Sequence, residues 1–209
     1  MTAPDRLAMA TGERTDLAEF LATLSPADWD APSLCEGWRV RDVVAHVISY
    51  EDLSAVGVLR RFARGRFSPG AGNEIGVAEY AVEPDGLLAL LRQRLRPRGF
   101  TSLGGGRIAL LDGLIHHQDI RRALGRPREV PPDRLLEALR MSLGASPLRS
   151  KGRVRGLRLI ADDVDFTAGE GLEVRGPGEP LLMAVAGRRG VVDELTGAGQ
   201  PLLARRIGP

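Results

Sequence analysis

Hydrophobic residues recur three or four positions apart through the first part of the chain, up to about residue 148, which is the spacing of an amphipathic helix. The predicted helices span residues 5–24, about 38–63, 83–95, 107–124 and 131–145. Segments rich in proline, glycine and aspartate separate them, so residues 25–33, 64–76 and 96–106 are predicted as connections. The pattern indicates an all-helical N-terminal region.

The pattern changes after residue 148. Short β-prone runs at residues 157–160, 164–166 and 172–174 are divided by acidic residues and glycines. Two short helices are predicted over 177–188 and 191–207. We therefore predict two domains, a helical bundle over residues 1–148 and a small α+β domain over residues 149–209.

Composition is that of an ordinary globular protein, with 43% hydrophobic and 27% charged residues in 209. The first residues include Asp5, Glu13 and Asp16 and contain no continuous apolar segment, so a signal peptide is not expected. No stretch approaches the roughly 18 apolar residues of a membrane span. The single cysteine cannot form an internal disulfide, which fits a reducing compartment. These features predict a cytoplasmic protein without a membrane partner.

The charge balance gives little support for a nucleic-acid partner. The formal net charge is only +2, and aromatic residues make up 4% of the chain, too few for a base-stacking surface. Lys151 is the only lysine, so arginine supplies nearly all of the positive charge. We expect no nucleic-acid binding.

Candidate chemistry is concentrated on two of the predicted helices. Asp112 and His116 are four residues apart and therefore lie roughly 40° from each other on one helical face. With His46 from the second helix they would form a set of three metal ligands with open positions, as catalytic sites have. Asp119 is better interpreted as a packing or hydrogen-bonding partner than as a fourth ligand. The alternative is a structural role, in which Asp112 and His116 bond each other or an arginine and His46 is a core residue.

Cys35 is a weaker candidate. It lies in a loop before a helix, a position that favours a reactive thiol, but Glu36 follows it and no nearby base accompanies it. Free cysteines are commonly small buried hydrophobic residues. A structural role is therefore the favoured interpretation.

Three segments resemble a known family in order along the chain: WDAPSLCEGWRVRDVVAHV, then DGLIHHQDIRRALG, then GLEVRGPGEPLLMAVAGR with ELTGAGQPLLARRI. They are similar to the actinobacterial mycothiol-dependent maleylpyruvate isomerase family of the DinB-like metal-binding superfamily. The resemblance implies a mainly α fold, a DinB-like four-helix bundle with a small C-terminal α+β domain. It implies a divalent metal, usually taken as zinc, bound by His46, Asp112 and His116. The family more often has glutamate at the position of Asp112, which leaves nickel, iron or manganese as alternatives, and its Cys-Glu-Gly-Trp turn supplies no ligand.

The same resemblance implies an enzyme in which the metal activates the thiol of mycothiol, or a water, for attack on a small electrophile. We expect an isomerase or S-transferase whose partners are a low-molecular-weight thiol and a small electrophilic substrate, in a monomer or homodimer. Arg39, Arg121 and Arg122 are candidates to hold an anionic substrate, although a role as solvated surface is favoured. Two other classes stay open: a metal- or thiol-binding module without turnover, and a structural protein with an interaction surface.

Overall fold

The structure is a computed structural model that describes residues 5–208. The chain folds into two compact units, the first ending at Pro127 and the second beginning at Arg128. Among the described residues, the first unit is built from helices, whereas the second combines helices with a small sheet. The predicted fold class, a mainly α protein with a small α+β part at its C-terminal end, is confirmed.

Seven α-helices form the described part of the first unit: α1 Arg6–Leu21, α2 Pro26–Asp30, α3 Val40–Ile48, α4 Ala55–Arg64, α5 Pro69–Glu79, α6 Pro84–Gln93 and α7 Leu103–Ala123. Helices α1 and α3 each contact both α6 and α7, so these four close into a four-helix bundle. Helices α4 and α5 contact each other, and α5 also packs on α3. The predicted bundle is therefore present, with α4 and α5 beside it.

The apolar faces of the bundle helices meet in one core. Its fully buried members, each at most 1% exposed, include Leu17 and Leu21 of α1, Val43, Val44 and Ile48 of α3, Leu87 and Leu91 of α6, and Ile120 of α7. Burying an aliphatic side chain of this size stabilises the folded state by about 1.5–3 kcal/mol. The core thus holds α3 and α7 side by side, and these two helices carry the candidate ligands.

The prediction of one helix over residues 38–63 is wrong, because two helices occupy this segment. α3 ends at Ile48 and α4 begins at Ala55, with Ser54 accepting a hydrogen bond from the Gly57 N–H at 3.2 Å. Between them the Glu51 carboxylate is buried and accepts hydrogen bonds from Arg14, Thr101 and the Arg98 N–H. These contacts with residues far along the chain override the local helical pattern, since a buried carboxylate must be paired.

Two segments predicted as connections are helical instead. Ser25 and Asp28 form a reciprocal cap that starts α2, with the Ser25 N–H donating to Asp28 Oδ2 at 2.8 Å. In the second segment Ser68 caps α5, and Pro69 occupies its first position. Proline is tolerated in a first helical turn, where its missing N–H has no intrahelical partner anyway. The glycines and prolines of these segments mark helix starts as well as breaks.

A left-handed turn of three glycines opens α7. Gly104, Gly105 and Gly106 have φ values of 63°, 71° and 88°, so the regular helix begins at Arg107. A Cβ atom on Gly106 would lie 2.9 Å from the Cα of Leu7 in α1. Because only glycine adopts this backbone without strain and fits this approach, the turn sets where α7 begins against α1.

The second unit contains four α-helices among its described residues, α8 Pro132–Ser142, α9 Ser150–Val154, α10 Gly178–Ala186 and α11 Gln200–Ile207, and the strands β1 Leu157–Ala161, β2 Thr167–Gly169 and β3 Leu172–Gly176. The strand order is β2-β1-β3, with β2 antiparallel and β3 parallel to the central β1. The first and third predicted strands are present. The second strand is predicted at residues 164–166, but β2 begins after this run, at Thr167.

The division between the units differs from the predicted domain boundary after residue 148. Residues 128–148, including α8, fall in the second unit. The reason is packing: α8 lies against α10, and a Cβ on Gly178 would meet the side chains of Leu135 and Leu139 at 3.1 and 3.2 Å. Helical periodicity predicts α8 correctly but does not indicate which core its apolar face joins.

Within residues 5–208, no helix combines the length and the apolar character required to cross a membrane.

Candidate metal centre

His46 lies in the last turn of α3 and is 6% exposed. The apolar face of the same helix is buried, each residue being at most 3% exposed: Val40, Val43, Val44 and Val47. At its start, the Arg39 N–H donates to Asp42 Oδ2 at 2.9 Å. The cap and the buried valine face together fix the orientation of α3 and hence the direction in which the His46 ring projects.

Asp112 and His116 lie one turn apart on α7, as their spacing predicts. Asp112 Oδ1 is 3.4 Å from His116 Nε2. The His116 side chain is 11% exposed, whereas that of Asp112 is 38% exposed. The pair therefore projects from one face of α7, with Asp112 on the side that is open to solvent.

The structure brings His46 to this pair. His46 Nε2 lies 3.6 Å from Asp112 Oδ1, the same oxygen that faces His116. The two imidazole rings are 4.8 Å apart and nearly perpendicular, at 78°. Ligand atoms of all three residues lie within 4.8 Å of one another. The geometric condition for a shared cation is thus met by His46, Asp112 and His116, which we call the open cluster; their role as ligands stays a prediction.

The separations in the open cluster fit a metal better than direct hydrogen bonds. A hydrogen bond between nitrogen and oxygen has a length of about 2.7–3.2 Å, shorter than both contacts of Asp112. Zinc binds nitrogen and oxygen at about 2.0–2.2 Å, which places tetrahedral ligand atoms roughly 3.3–3.6 Å apart. In addition, His46 Nδ1 is buried without a hydrogen-bond partner. Both nitrogens of this buried ring thus lack a direct hydrogen bond, and a cation at Nε2 would give one of the two a partner.

The outer nitrogen of His116 is held by Asp119. His116 Nδ1 lies 2.9 Å from Asp119 Oδ2, and the Asp119 side chain has no exposed surface. A carboxylate at this distance keeps the proton on Nδ1 and directs the lone pair of Nε2 toward the open cluster. This is the arrangement that histidine ligands of metals usually have. The expectation that Asp119 is a hydrogen-bonding partner and not a ligand stays a prediction, since Cys35, His116 and Asp119 also form a group whose ligand atoms could hold a metal ion.

Asp112 and His116 in the open cluster shift each other's pKa. Burial disfavours ionised Asp112, but His116 and His46 prevail and hold the pKa of its carboxyl well below the usual range. Burial likewise disfavours charged His116, but Asp112 foremost, then Asp119 and Cys35, raise the His116 pKa well above the usual range. The cluster therefore has a carboxylate whose charge attracts a cation, and a proton on His116 that the cation must displace.

Aromatic side chains surround His46. The Trp38 ring lies 5.1 Å from the His46 ring, and the Tyr50 ring meets it edge-on at 5.8 Å. The Tyr50 hydroxyl donates to Asn73 Oδ1 at 2.7 Å. Burial raises the pKa of Tyr50, Arg61 opposes this, and the nearby Asp112 raises it further. Sequence reasoning missed Tyr50, which follows His46 by four residues but lies beyond the end of α3.

The third histidine does not join the cluster. His117 points to a different side of α7, toward α1, where its Nδ1 lies 2.8 Å from Glu13 Oε1. Its other nitrogen, Nε2, accepts a hydrogen bond from Arg121 Nε at 2.8 Å. Both ring nitrogens are used, so His117 carries its proton on Nδ1 and has no lone pair for a metal. We call Glu13, His117 and Arg121 the closed cluster.

Two arginines proposed as anion holders are engaged elsewhere. Arg39 pairs with Asp42 and Asp30 at the start of α3. Arg121 contacts His117 and lies over the Phe20 ring, with 3.9 Å between Cζ and the ring centre. Neither contact involves the open cluster. The structure therefore does not favour the role of these two residues in holding a substrate.

Cys35 lies at the edge of the site. Its thiol donates to Asp119 Oδ2 at 3.1 Å, and Sγ is 3.6 Å from His116 Nδ1. The cysteine therefore reaches the hydrogen-bond system of His116 without facing the open cluster. Sequence reasoning favoured a structural role for Cys35 but missed this contact, since 84 residues separate it from Asp119.

Comparison with known proteins supports the resemblance seen in the sequence. Residues 10–98 match the family described as the mycothiol maleylpyruvate isomerase N-terminal domain. This segment belongs to that family. It contains His46 and Cys35, whereas Asp112 and His116 lie beyond it.

The fold extends the likeness over nearly the whole chain. The crystal structure of the mycothiol-dependent maleylpyruvate isomerase aligns with a TM-score of 0.56 and 19% identity, covering 96% of this chain and 97% of that one. A histidine-to-alanine mutant of the mycothiol-dependent maleylpyruvate isomerase aligns equally well, with 18% identity. No protein with curated annotation gives a significant match. At this identity the alignments establish a shared fold.

Proposed function

We propose that this chain is a divalent-metal-dependent enzyme that uses mycothiol to isomerise a small electrophile or to transfer the thiol to it, as a maleylpyruvate isomerase-like protein. The observation that carries the proposal is the convergence of His46, Asp112 and His116 at separations that suit metal ligands. The family of residues 10–98 and the fold similarity supply the thiol and the reaction class.

In this proposal His46, Asp112 and His116 hold the metal. A divalent metal bound there would lower the pKa of a coordinated thiol or water and so supply a nucleophile near neutral pH. Three protein ligands leave a position for that group. Asp112 is the most exposed of the three side chains, so a small thiol and its substrate could reach the open cluster from its side.

The remaining residues of the site orient and shield the ligands. Asp119 holds the proton of His116 on Nδ1, so that Nε2 is the coordinating atom. Trp38 and Tyr50 cover the His46 ring and restrict water around it. Exclusion of water strengthens the attraction between a cation and its ligands.

The donor set favours zinc. Two imidazoles and one carboxylate are a common catalytic zinc combination, and they also accept nickel, iron or manganese. The aspartate side chain is one methylene shorter than the glutamate that the family more often has. Its oxygen nevertheless lies within reach of both histidines.

Cytoplasmic location and a monomeric or homodimeric state stay predictions of the sequence.

Elemental analysis of the purified protein after reconstitution with zinc tests whether the protein binds a metal at these three residues. We expect about one metal per chain in the wild type, and loss of most of it in His46→Ala and Asp112→Ala, since each removes one of three ligands. A wild type that takes up no divalent metal would contradict the proposal. Equal uptake by both variants would place the metal elsewhere.

Turnover separates an enzyme from a binding module. The zinc-loaded protein is incubated with mycothiol and maleylpyruvate, or with a mycothiol-reactive electrophile, and product is followed by chromatography. We expect product formation that depends on both zinc and mycothiol. Stoichiometric zinc and thiol binding without product from any electrophile would identify a non-catalytic module instead.

A further inference from the structure

The turn that contains Cys35 is closed by its own hydrogen bonds. The Ser33 N–H donates to the Trp38 carbonyl at 2.9 Å, and the Trp38 N–H donates to the Cys35 carbonyl at 2.9 Å. Gly37 has a φ of 78°, a left-handed conformation that glycine adopts without strain. Residues 33–38, which we call the Cys35 turn, therefore present the Cys35 and Trp38 side chains in a fixed relation.

One end of the Cys35 turn is attached to α7 through Asp119. The Leu34 N–H donates to the Asp119 carbonyl at 3.2 Å, and the Cys35 thiol donates to Asp119 Oδ2 at 3.1 Å. The same carboxylate oxygen lies 2.9 Å from His116 Nδ1. Because the Asp119 side chain has no exposed surface, protein donors replace the water that would otherwise surround its charge. The thiol thus helps to hold the carboxylate that orients His116.

The other end of the Cys35 turn contacts the second histidine. The Trp38 ring lies 5.1 Å from the His46 ring at an angle of 47°. His46 Nδ1 has no hydrogen-bond partner that could fix the ring, so packing by aromatic neighbours sets its rotation. The two histidines come from different helices, and the Cys35 turn reaches both of them.

We propose that Cys35 and Trp38 are positioning residues for the open cluster: Cys35 holds His116 through Asp119, and Trp38 holds the ring of His46. The thiol acts as a hydrogen-bond donor and not as a nucleophile or a ligand. This inference rests on the proposed metal at His46, Asp112 and His116. It explains why a cysteine lies beside a metal site without facing the metal.

The zinc dissociation constant, measured by competition with a chelator on reconstituted protein, tests Cys35. Loss of a group bonded directly to a histidine ligand weakens metal binding by about 10-fold to 100-fold, and because Cys35 acts one step farther out, through Asp119, we expect Cys35→Ala to weaken it by about 10-fold. Cys35→Ser keeps a donor at the same place and should recover most of the loss. If Cys35→Ala binds zinc as tightly as the wild type, the inference is wrong.

A double-mutant cycle separates this role from a general structural one. If Cys35 acts through Asp119, Cys35→Ala combined with Asp119→Asn should bind zinc about as well as Asp119→Asn alone. Independent structural damage would instead multiply the two losses, and that result would overturn the role of Cys35. The cycle compares affinities of folded, metal-loaded protein, so a lower unfolding temperature of a variant does not imitate the expected result.

The two tryptophans of the chain form a matched pair for the other half of the inference. Trp29 is 4% exposed and belongs to the core cluster against which Trp38 packs. Trp38→Leu should weaken zinc binding, whereas Trp29→Leu should lower the unfolding temperature and leave zinc binding within a few-fold of the wild type. Equal zinc affinities of Trp38→Leu and wild type would refute the role of Trp38. A wild type without zinc would refute the proposed metal itself, so the two failures are distinguishable.

Discussion

His116 and His117 are neighbours on α7, but they belong to two clusters of opposite character. In the closed cluster both nitrogens of His117 are 2.8 Å from a polar partner, and the Glu13 and His117 side chains are at most 1% exposed. In the open cluster the inner nitrogen of His116 faces Asp112 at 3.4 Å, and Asp112 is 38% exposed. Partner distances thus separate a satisfied buried histidine, His117, from His116, which we propose as a metal ligand.

The same substitution at adjacent positions gives the largest expected contrast. His116→Gln removes one of three ligands, and we expect zinc affinity to fall by at least about 1,000-fold, or roughly 4 kcal/mol. His117→Gln should keep stoichiometric zinc and lower the free energy of unfolding instead, because it disturbs the hydrogen bonds of the closed cluster. Zinc titration and urea unfolding of both variants make the comparison. Zinc loss in His117→Gln without unfolding would show that the clusters are not separate.

Substitutions in the closed cluster should mainly lower the free energy of unfolding. Glu13→Ala leaves the buried His117 N–H without its acceptor, and leaving a buried donor unsatisfied costs about 1–3 kcal/mol. Glu19→Ala, an exposed glutamate on the same helix, is the matched control and should change stability by no more than about 0.5 kcal/mol. Urea unfolding measures both. A Glu13→Ala protein as stable as the control would mean that the closed cluster does not stabilise the fold.

The pH dependence of zinc affinity is the smallest expected effect, and it should come from the open cluster alone. The His116 pKa is raised in the metal-free protein, so zinc must displace a proton even at pH values above about 6.5, where an ordinary histidine is neutral. We expect zinc affinity to fall roughly tenfold per pH unit below that raised pKa, and to level off above it. The lowered pKa of Asp112 keeps its carboxylate charged throughout, so it adds no dependence near neutrality. Competition titrations between pH 6 and about 8.5 measure this, and an affinity independent of pH would contradict it.

Regular helices with an apolar face were predictable, whereas breaks caused by long-range contacts were not. The helices around Leu17, Leu91 and Ile120 follow the spacing of their apolar residues. The interruption between α3 and α4 does not, because Glu51 is paired with Arg14, 37 residues earlier. Helix α5 was missed because its glycines resemble those of a loop, and the cap by Ser68 is a weak local signal.

In the candidate site, too, local features were predictable and long-range contacts were not. The placement of Asp112 and His116 on one face is a local property, because residues four apart in a helix lie on the same face. The contact of Cys35 with Asp119, the partner of His117 and the ring of Tyr50 beside His46 all depend on how helices pack. No local pattern encodes them, since their members are far apart along the chain or separated by a helix end.

By itself, the sequence determined the helical elements of the bundle, the family likeness and the pair Asp112 and His116. These are short-range features, set by side chains within one or two helical turns. Only the tertiary structure decided that His46 reaches this pair, that His117 contacts Glu13, and that Cys35 and His116 share the carboxylate of Asp119. The physical reason is that long-range contacts arise from burial of whole helix faces in a shared core, which fixes where each side chain ends.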